Sequence, residues 1–299
     1  MDYQFRNIGI IGRLGSARVL DTIRRLIRHL NGLHLQVILD ESIAEMLPGH
    51  NLQTSSRKLL GEACDLVIVV GGDGSMLGAA RALVSHATPV LGINRGNLGF
   101  LTDITPENLE EQVDEVLQGN YLTEQRFLLD LEVRRDDIPM GQGDALNDIV
   151  LHPGKSTRMI SFELYIDGQY VYRVKADGLI ISTPTGSTAY ALSAGGPIMH
   201  PRLDAIVIVP MYPHTLSSRP IVIGADAEIK IIIASDMDIY PLVSCDGQNH
   251  LTCAPGDTLH IKRKAQKLRL LHPFEHNFYQ VCRDKLGWEN RMPLGTDSC

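Results

Sequence analysis

The sequence predicts an α/β N-terminal domain with a parallel sheet, followed by a β-rich, β-sandwich-like C-terminal domain. In the first part of the chain, short β-branched runs alternate with helical patterns, which is typical of a parallel sheet. After about residue 126 the pattern changes to many short strand-like segments separated by turn pairs such as Asp167-Gly168. We therefore predict domains at 1-125 and 126-272, and a C-terminal segment, 273-299, that packs back on the first domain.

The elements of the first domain follow from its apolar runs. The runs are nearly continuous and do not alternate, as expected for strands covered on both faces. The predicted strands are Ile8–Ile11, Leu35–Leu39, Leu66–Val70 and Pro89–Ile93. The predicted helices are Arg18–Leu30, a helix from the turn after Val70 toward His86, and Glu107–Leu117.

The second domain is predicted from short apolar segments between turn residues. Its predicted strands are Leu128–Val133, Ile160–Ile166, Leu179–Ile181, Ile206–Val209, Glu228–Ile233, Leu259–Lys262 and Leu268–Leu271. A short helix at Phe278–Leu286 is expected near the end of the chain.

The composition favours a cytoplasmic protein with small ligands. The 299 residues carry a net charge of -7, whereas nucleic-acid binding needs clustered Lys and Arg. The five cysteines are scattered without a C-x-x-C pair, which predicts reduced thiols. No apolar run approaches the roughly 20 residues that span a bilayer. We therefore expect neither a nucleic-acid partner nor a membrane.

The histidines do not predict a structural metal site. The closest pair at i,i+4, His272 and His276, encloses Pro273. Proline breaks the helix on which such a pair would bind a metal.

A Gly-rich turn carries the first chemical signal. Gly71-Gly72-Asp73-Gly74 lies between a predicted strand and a predicted helix, an arrangement that directs backbone N–H groups toward phosphate. The glycine spacing misses the G-x-G-x-x-G dinucleotide fingerprint, so a hydride-transfer enzyme is disfavoured. From this motif alone, Asp73 is equally a helix cap or a catalytic base, and a magnesium ligand stays open.

Three further segments are weak signals when each is taken alone. Asn94, Arg95 and Asn97 follow a strand end, where ligands of α/β sheets collect, but such residues are more often turn residues. Asn147 and Asp148 suit the vicinal hydroxyls of a ribose, although an Asn-Asp pair is usually a turn.

The third of these segments, 177–197, combines hydroxyls, glycines and Tyr190, which suits phosphate, ribose and a stacked base. Alone, it is more simply a Ser/Thr-capped helix with a buried tyrosine.

Taken together and in order, these segments resemble the bacterial members of the ATP-dependent NAD kinase family. The resemblance rests on G-G-D-G, N-R-G-N-L-G-F-L-T-D, A-L-N-D, H-P-G-K, D-G-L-I-I-S-T-P-T-G-S-T-A-Y, A-G-G-P-I, V-S-C-D-G-Q and K-L-G-W. G-G-D-G is shared with lipid kinases and, more loosely, with phosphofructokinases, whereas the Thr/Ser/Gly segment is much more specific. The resemblance implies an NAD kinase-like fold and a homodimer or homotetramer.

The resemblance also assigns site residues. It implies that Asp73 is the catalytic base and that Gly71, Gly72 and Gly74 form the phosphate loop. The implied NAD-binding positions are Gly74, Asn147, Asp148, Arg158, Lys175, Asp177, Thr185, Thr188, Ala189, Tyr190, Ala191, Leu192, Ser193 and Gln248. Asp148 departs from the family's Asn-Glu pair, because its carboxylate is one methylene shorter.

The implied reaction moves the γ-phosphoryl group of ATP to the 2′-hydroxyl of the adenosine ribose of NAD, which makes NADP (EC 2.7.1.23). A divalent cation, Mg²⁺ with ATP, would neutralise the phosphates. The sequence contains no P-loop lysine, so metal and backbone are expected to supply most of the positive field. The alternatives are a lipid kinase and a non-catalytic dinucleotide sensor; low aromatic content disfavours the first and Asp73 the second.

Overall fold

The computed structural model describes residues 3–96 and 99–288, and the chain forms two compact units. The first unit contains the residues up to Glu124 and those from Arg269 onward; the second is Gln125–Leu268. The first unit has a parallel sheet with helices, and the second has antiparallel sheets. The predicted fold class is thereby confirmed.

The first unit is built around a parallel sheet. Its strands are β1 (Asn7–Gly12), β2 (Gln36–Asp40), β3 (Gln53–Ser55), β4 (Leu66–Gly71) and β5 (Val90–Asn94). Its first helices are α1 (Ala17–Gly32), α2 (Glu41–Ala44), α3 (Arg57–Ala63), α4 (Asp73–Leu83), with a 3-10 turn at Val84–His86, and α5 (Leu109–Leu117). The strand order is β5-β4-β1-β2-β3, all parallel. The order reverses between β1 and β4, and ligands of such sheets bind beyond the strand ends at that point.

Helices cover both faces of this sheet. Ile8 and Ile10 belong to one buried cluster with the apolar residues of α1 and α5. Gly9 alternates with these residues, so its Cα–H faces the opposite side of the sheet, where a Cβ would meet Cys64 and Leu60 of α3. Burial on both sides explains why the strands are continuous apolar runs.

The second unit contains two antiparallel sheets. Its strands are β6 (Tyr121–Arg135, which begins in the first unit), β7 (Ile138–Ala145), β8 (Asp148–His152), β9 (Ile160–Ile166), β10 (Gln169–Ala176), β11 (Gly178–Ser182), β12 (Ala205–Met211), β13 (Ile221–Gly224), β14 (Ile229–Ile233), β15 (Leu242–Cys245), β16 (Asn249–Thr252) and β17 (Thr258–Pro273, which ends in the first unit). One sheet has the order β13-β12-β11-β8-β15-β16. The other contains β10-β9-β14 and the start of β17, with β6 and β7.

The two sheets of the second unit enclose one hydrophobic core. Ile149 and Ile181 enter it from the first of these sheets, and Phe162 and Ile231 enter it from the second. The predicted sandwich therefore has a physical basis in a single shared core. A short helix, α6 (Tyr190–Ser193), follows β11 and a 3-10 turn at Gly186–Thr188.

The last strand connects the two units through the chain itself. β17 pairs antiparallel with β14 at Thr258–Ile261 and, further on, parallel with β5 at Leu270–Leu271. Helix α7 (Phe278–Leu286) follows in the first unit and begins where the sequence predicts. Asn277 caps it by accepting the N–H groups of Tyr279 and Gln280.

Four of the cysteines, Cys64, Cys245, Cys253 and Cys282, are buried free thiols. Within residues 3–96 and 99–288, no helix is both long and apolar enough to cross a membrane.

Candidate active site

The Gly-rich turn lies at the switch point of the parallel sheet. β4 ends at Gly71, Gly72 is the N-cap of α4, and Asp73 is the first residue of that helix. The predicted strand-turn-helix arrangement is confirmed. The turn therefore presents the N-terminal N–H groups of α4 where ligands of open α/β sheets bind.

The carboxylate of Asp73 is directed away from its own helix. Its Oδ2 accepts the N–H of Phe100 at 2.9 Å, and its Oδ1 accepts the N–H of Leu101 at 3.1 Å. The hydroxyl of Thr102 lies 3.5 Å from Oδ1. The close approach of the Asp73 carboxylate to this loop needs glycine at position 99, since a Cβ there would collide with Oδ1 of Asp73. The capping interpretation of Asp73 is therefore wrong: the loop after β5 holds this side chain.

That loop is also stabilised from within. The side-chain amide of Asn94 donates to the hydroxyl of Thr102 at 3.1 Å, and its oxygen accepts the N–H of Gly96 at 2.7 Å. Arg95 donates from Nε to the carbonyl of Arg18 at 3.0 Å. Asn94 thus acts as a turn residue, as the simpler interpretation predicts. Asn97 lies outside the described residues.

A lysine that the sequence analysis did not assign lies beside Asp73. Nζ of Lys285, in the last turn of α7, is 3.4 Å from Oδ2 of Asp73, and both side chains are 28% exposed. The same ammonium lies 4.9 Å from the centroid of the Phe100 ring. The positive field at the turn therefore includes one side chain, which the sequence analysis did not name, and the expectation that metal and backbone supply most of the field stays a prediction.

A buried ionic cluster follows the same loop. Asp103 accepts hydrogen bonds from Nδ1 of His272 and, at 3.1 Å, from Nδ1 of His276. Nε2 of His272 is 3.5 Å from Glu124. Burial would lower the pKa of His272, but the hydrogen bonds to Asp103 and Glu124 raise it to about 9. Burial would raise the pKa of Asp103, but the same histidines hold it below its usual range. The pair is therefore charged at neutral pH.

The cluster also tests the argument against a metal. Asp103, His272 and His276 place ligand atoms within 4.8 Å of one another. Pro273 does not keep the two histidines apart, because they need no helix to meet: β17 ends at Pro273, and the turn that follows brings His276 back beside His272. Their rings stack with centroids 4.0 Å apart. Two imidazoles on one tetrahedral zinc would have ring centres about 5 Å apart, so the geometry favours a hydrogen-bonded ion pair.

In the second unit, a cavity of about 610 Å³ brings together five of the predicted NAD-binding residues. They are Asn147, Asp148, Asp177, Ala189 and Tyr190. Its wall also includes residues that the sequence analysis did not assign, among them Tyr212, Asp246 and His250. Asp246 lies in the V-S-C-D-G-Q segment, which is the signal that points to it.

Asp246 fixes the Asn147-Asp148 segment from one side. Its carboxylate accepts the N–H groups of Leu146, Asn147 and Asp148 at 3.1, 2.7 and 3.3 Å. On the other side, the hydroxyl of Thr183 donates to the carbonyl of Leu146 at 2.6 Å. The segment is therefore held between two loops, and Asp148 begins β8 at the cavity wall.

Asp148 lies in an unfavourable place for a negative charge. Its residue surface is 5% exposed. Burial, and secondly the charge of Asp246, raises the pKa of Asp148 to about 7. A carboxyl group with a pKa near 7 is present in both protonation states at neutral pH, and perturbed groups of this kind are frequent at functional sites.

The hydroxyl-rich segment after β11 has a mainly structural role. The hydroxyls of Ser182 and Thr183 donate to backbone carbonyls, and that of Ser187 donates to Pro184 and accepts from Met199. The simpler interpretation of a Ser/Thr-capped helix is wrong for α6, because its N-cap is Ala189 and no side chain caps it. It is also wrong for the tyrosine, because Tyr190 is 50% exposed on the cavity wall.

A second cavity, of about 600 Å³, adjoins the first. Ser193 lines it, and Tyr190, Met211 and Tyr212 belong to the walls of both cavities. The remaining predicted positions line neither cavity: Gly74, Arg158, Lys175, Thr185, Thr188, Ala191, Leu192 and Gln248. Thr185 is buried and accepts a hydrogen bond from Arg126 at 3.2 Å.

Two features define a class of protein, the nucleotide-binding phosphotransferases. The first unit has an acidic side chain at a turn of the phosphate-binding type, and the second unit has a polar cavity with aromatic walls. The comparisons with known proteins specify it. Residues 8–121 match the model of the ATP-NAD kinase N-terminal domain, and residues 146–272 match that of the ATP-NAD kinase C-terminal domain. The chain belongs to the NAD kinase family and is an enzyme of that activity.

Relatives cover nearly the whole chain. The NAD kinase of Ectopseudomonas mendocina is 74% identical over 289 residues, which are 97% of this chain and 98% of that protein. The structure of yeast NADH kinase complexed with NADH aligns with a TM-score of 0.89 at 27% identity, covering 98% of this chain and 91% of that one. An Archaeoglobus fulgidus NAD kinase in complex with ATP aligns with a TM-score of 0.72 at 26% identity, covering 93% and 99%.

Proposed function

We propose that this enzyme transfers the γ-phosphoryl group of ATP to the 2′-hydroxyl of the adenosine ribose of NAD, with Asp73 as general base. The position of Asp73 carries the proposal: it stands at a helix N-terminus at the sheet's switch point, held by Phe100 and Leu101 and not by its own helix. A relative binds NADH and another binds ATP, which supports both substrates.

The cavity of the second unit supports NAD as the acceptor. Asn147 and Asp148 offer an amide and a carboxylate to ribose hydroxyls, and Tyr190 offers an exposed ring to the base. Asp177 and Ala189 complete the predicted contacts on this wall. The second cavity, with Ser193, extends the space available to a dinucleotide.

The remaining predicted contacts, Arg158, Lys175, Thr185, Thr188, Ala191, Leu192 and Gln248, stay predictions. Thr185 would act by supporting the segment, because it is buried.

In the proposed reaction the attacking oxygen forms its bond to the γ-phosphorus while the bond to ADP breaks, and the hydroxyl proton passes to Asp73. A sugar hydroxyl is a much weaker acid than a carboxylic acid, so the proton leaves as the new bond forms. Gly71, Gly72 and Gly74 would offer N–H groups to phosphate oxygens.

Mg²⁺ enters with ATP as part of the substrate. Because both oxygens of Asp73 accept hydrogen bonds from the chain, we expect the ATP phosphates to hold the cation. Bound there, the ion would neutralise developing charge. A homodimer or homotetramer and a cytoplasmic location stay predictions from the resemblance and the cysteines.

The test is NADP formation from NAD and Mg-ATP by the wild type and by Asp73→Asn. We expect turnover to fall by about 10² to 10⁴, the usual contribution of a well-placed base, with NAD still bound. NAD carrying 2′-deoxyadenosine should bind and receive no phosphate. Wild-type turnover by Asp73→Asn would remove the base assignment, and phosphorylation of the deoxy analogue would remove the 2′ position.

A further inference from the structure

The contact between Lys285 and Asp73 joins a cation to the group that the proposed reaction uses as its base. Asp73 already accepts two backbone N–H groups, so the ammonium is an additional donor and not the one that fixes the carboxylate. The 3.4 Å separation is longer than the 2.7–2.9 Å of a tight charge-assisted hydrogen bond. Lys285 is therefore held loosely at this position.

The pair is poorly suited to a purely structural role. Both side chains are 28% exposed, and ion pairs that reach solvent contribute little to the stability of the fold. Helix α7 has other anchors in the first unit: the ring of Phe278 lies 6.3 Å from that of Phe100, and Val281 and Cys282 are buried. Losing the pair should therefore leave the helix in place.

The surroundings of Lys285 suit a second partner with negative charge. Its ammonium lies over the ring of Phe100, a cation–π contact that keeps it near the turn Gly71–Gly74, where the helix N-terminus already favours phosphate. Asp73 alone would repel a polyphosphate approaching that turn. A lysine binds phosphate as a mobile point charge and needs no fixed geometry.

We propose that Lys285 is a phosphate-binding residue for the donor nucleotide. Its ammonium pairs with Asp73 when no phosphate is present, and it passes to a phosphate oxygen when ATP binds. The exchange removes the ammonium from Oδ2 of Asp73 and leaves a lone pair of that oxygen open to the hydroxyl proton. This inference rests on the proposed role of Asp73 and adds a donor-side residue to it.

The test compares Lys285→Met and Lys285→Arg with the wild type in KM for ATP, KM for NAD, kcat and thermal midpoint. We expect Lys285→Met to raise KM for ATP by about 10- to 100-fold, the loss of one hydrogen bond to a charged group, with KM for NAD unchanged. Lys285→Arg should restore most of the ATP affinity, because it keeps the charge. Lys285→Gln repeats the experiment if the Met variant folds poorly.

Lys264→Met is the matched control. Lys264 forms a comparable half-buried pair with Asp144 at 2.8 Å, with 21% and 24% exposure, in the second unit. It should leave KM for ATP unchanged. An unchanged KM for ATP in Lys285→Met, or a lowered thermal midpoint with both KM values raised equally, overturns the proposal. The KM and stability measurements on the Lys285 variants do not depend on the outcome for Asp73→Asn. A failure of the base assignment can therefore be distinguished from a failure of the Lys285 proposal.

Discussion

Asp148→Asn should raise the stability of the enzyme relative to the wild type, and this gain should be much larger at alkaline pH than at acidic pH. The substitution keeps the shape of the side chain and removes a carboxyl group whose pKa is raised to about 7 by burial and by Asp246. An unfolded aspartate has an ordinary pKa of about 3.9, so the folded protein holds a proton that the unfolded chain releases. The wild type therefore loses stability as pH rises from about 4 to about 7, and the loss is complete above pH 7.

The size of the effect follows from the same two values. At pH 8 the buried carboxylate costs about 4 kcal/mol, and at pH 5 it costs about 1.5 kcal/mol. The difference in free energy of unfolding between variant and wild type should therefore widen by about 2.5 kcal/mol from pH 5 to pH 8. Changes in local hydrogen bonding contribute equally at all pH values and cancel in this comparison.

Urea unfolding followed by circular dichroism at pH 5, 6, 7 and 8 measures this difference. Asp21→Asn, on the exposed face of α1, serves as the control. A difference that is constant with pH, or that narrows as pH rises, would show that Asp148 is not a buried acid held near neutrality.

Two further predictions concern the first unit. His272→Gln should be less stable than the wild type at pH 6.5, and this difference in free energy of unfolding should shrink by about 3 kcal/mol by pH 9.5. The reason is that the pKa of His272 is raised to about 9, so its protonation stabilises the wild type fully below pH 6.5 and no longer does so once the pH has passed 9. A difference in urea unfolding that does not change with pH would contradict this. Gly99→Ala should lower kcat by about 10² or more, because its Cβ would displace the carboxylate of Asp73. Gly96→Ala, whose nearest neighbour would be 4.0 Å away, is its control, and equal kcat values in the two variants would refute the steric argument.

The sequence predicts the elements that bury apolar side chains on a regular pattern. β9 at Ile160–Ile166 and α7 at Phe278–Leu286 have the predicted bounds. β17 is one strand and not the two predicted, because the mainly polar and charged segment 262–267 continues the strand between the two apolar runs. β10 was missed because its exposed and buried residues do not form an apolar run. α3 was missed as well, since only two of its seven residues are buried.

The site residues that could be predicted are likewise those that lie in local sequence motifs. Asn147, Asp148 and Tyr190 are recognisable in order along the chain, and they do line one cavity. The contacts of Asp246 and Lys285 are invisible locally, because they join residues about 100 and 212 positions apart. Long-range pairing depends on how strands return to the sheet, which short segments do not encode.

The path of β17 has a consequence for synthesis on the ribosome. The second unit is continuous in sequence, but the first lacks its strand at Leu270–Leu271, His272 and Lys285 until the end of the chain emerges. At about 5–20 residues per second, the middle of the chain takes about 7–30 s to make. During that time Asp73 and Asp103 are already made but lack the cations that pair with them. A chain that stops before His272 and Lys285 therefore lacks both the histidine that pairs with Asp103 and the lysine beside Asp73.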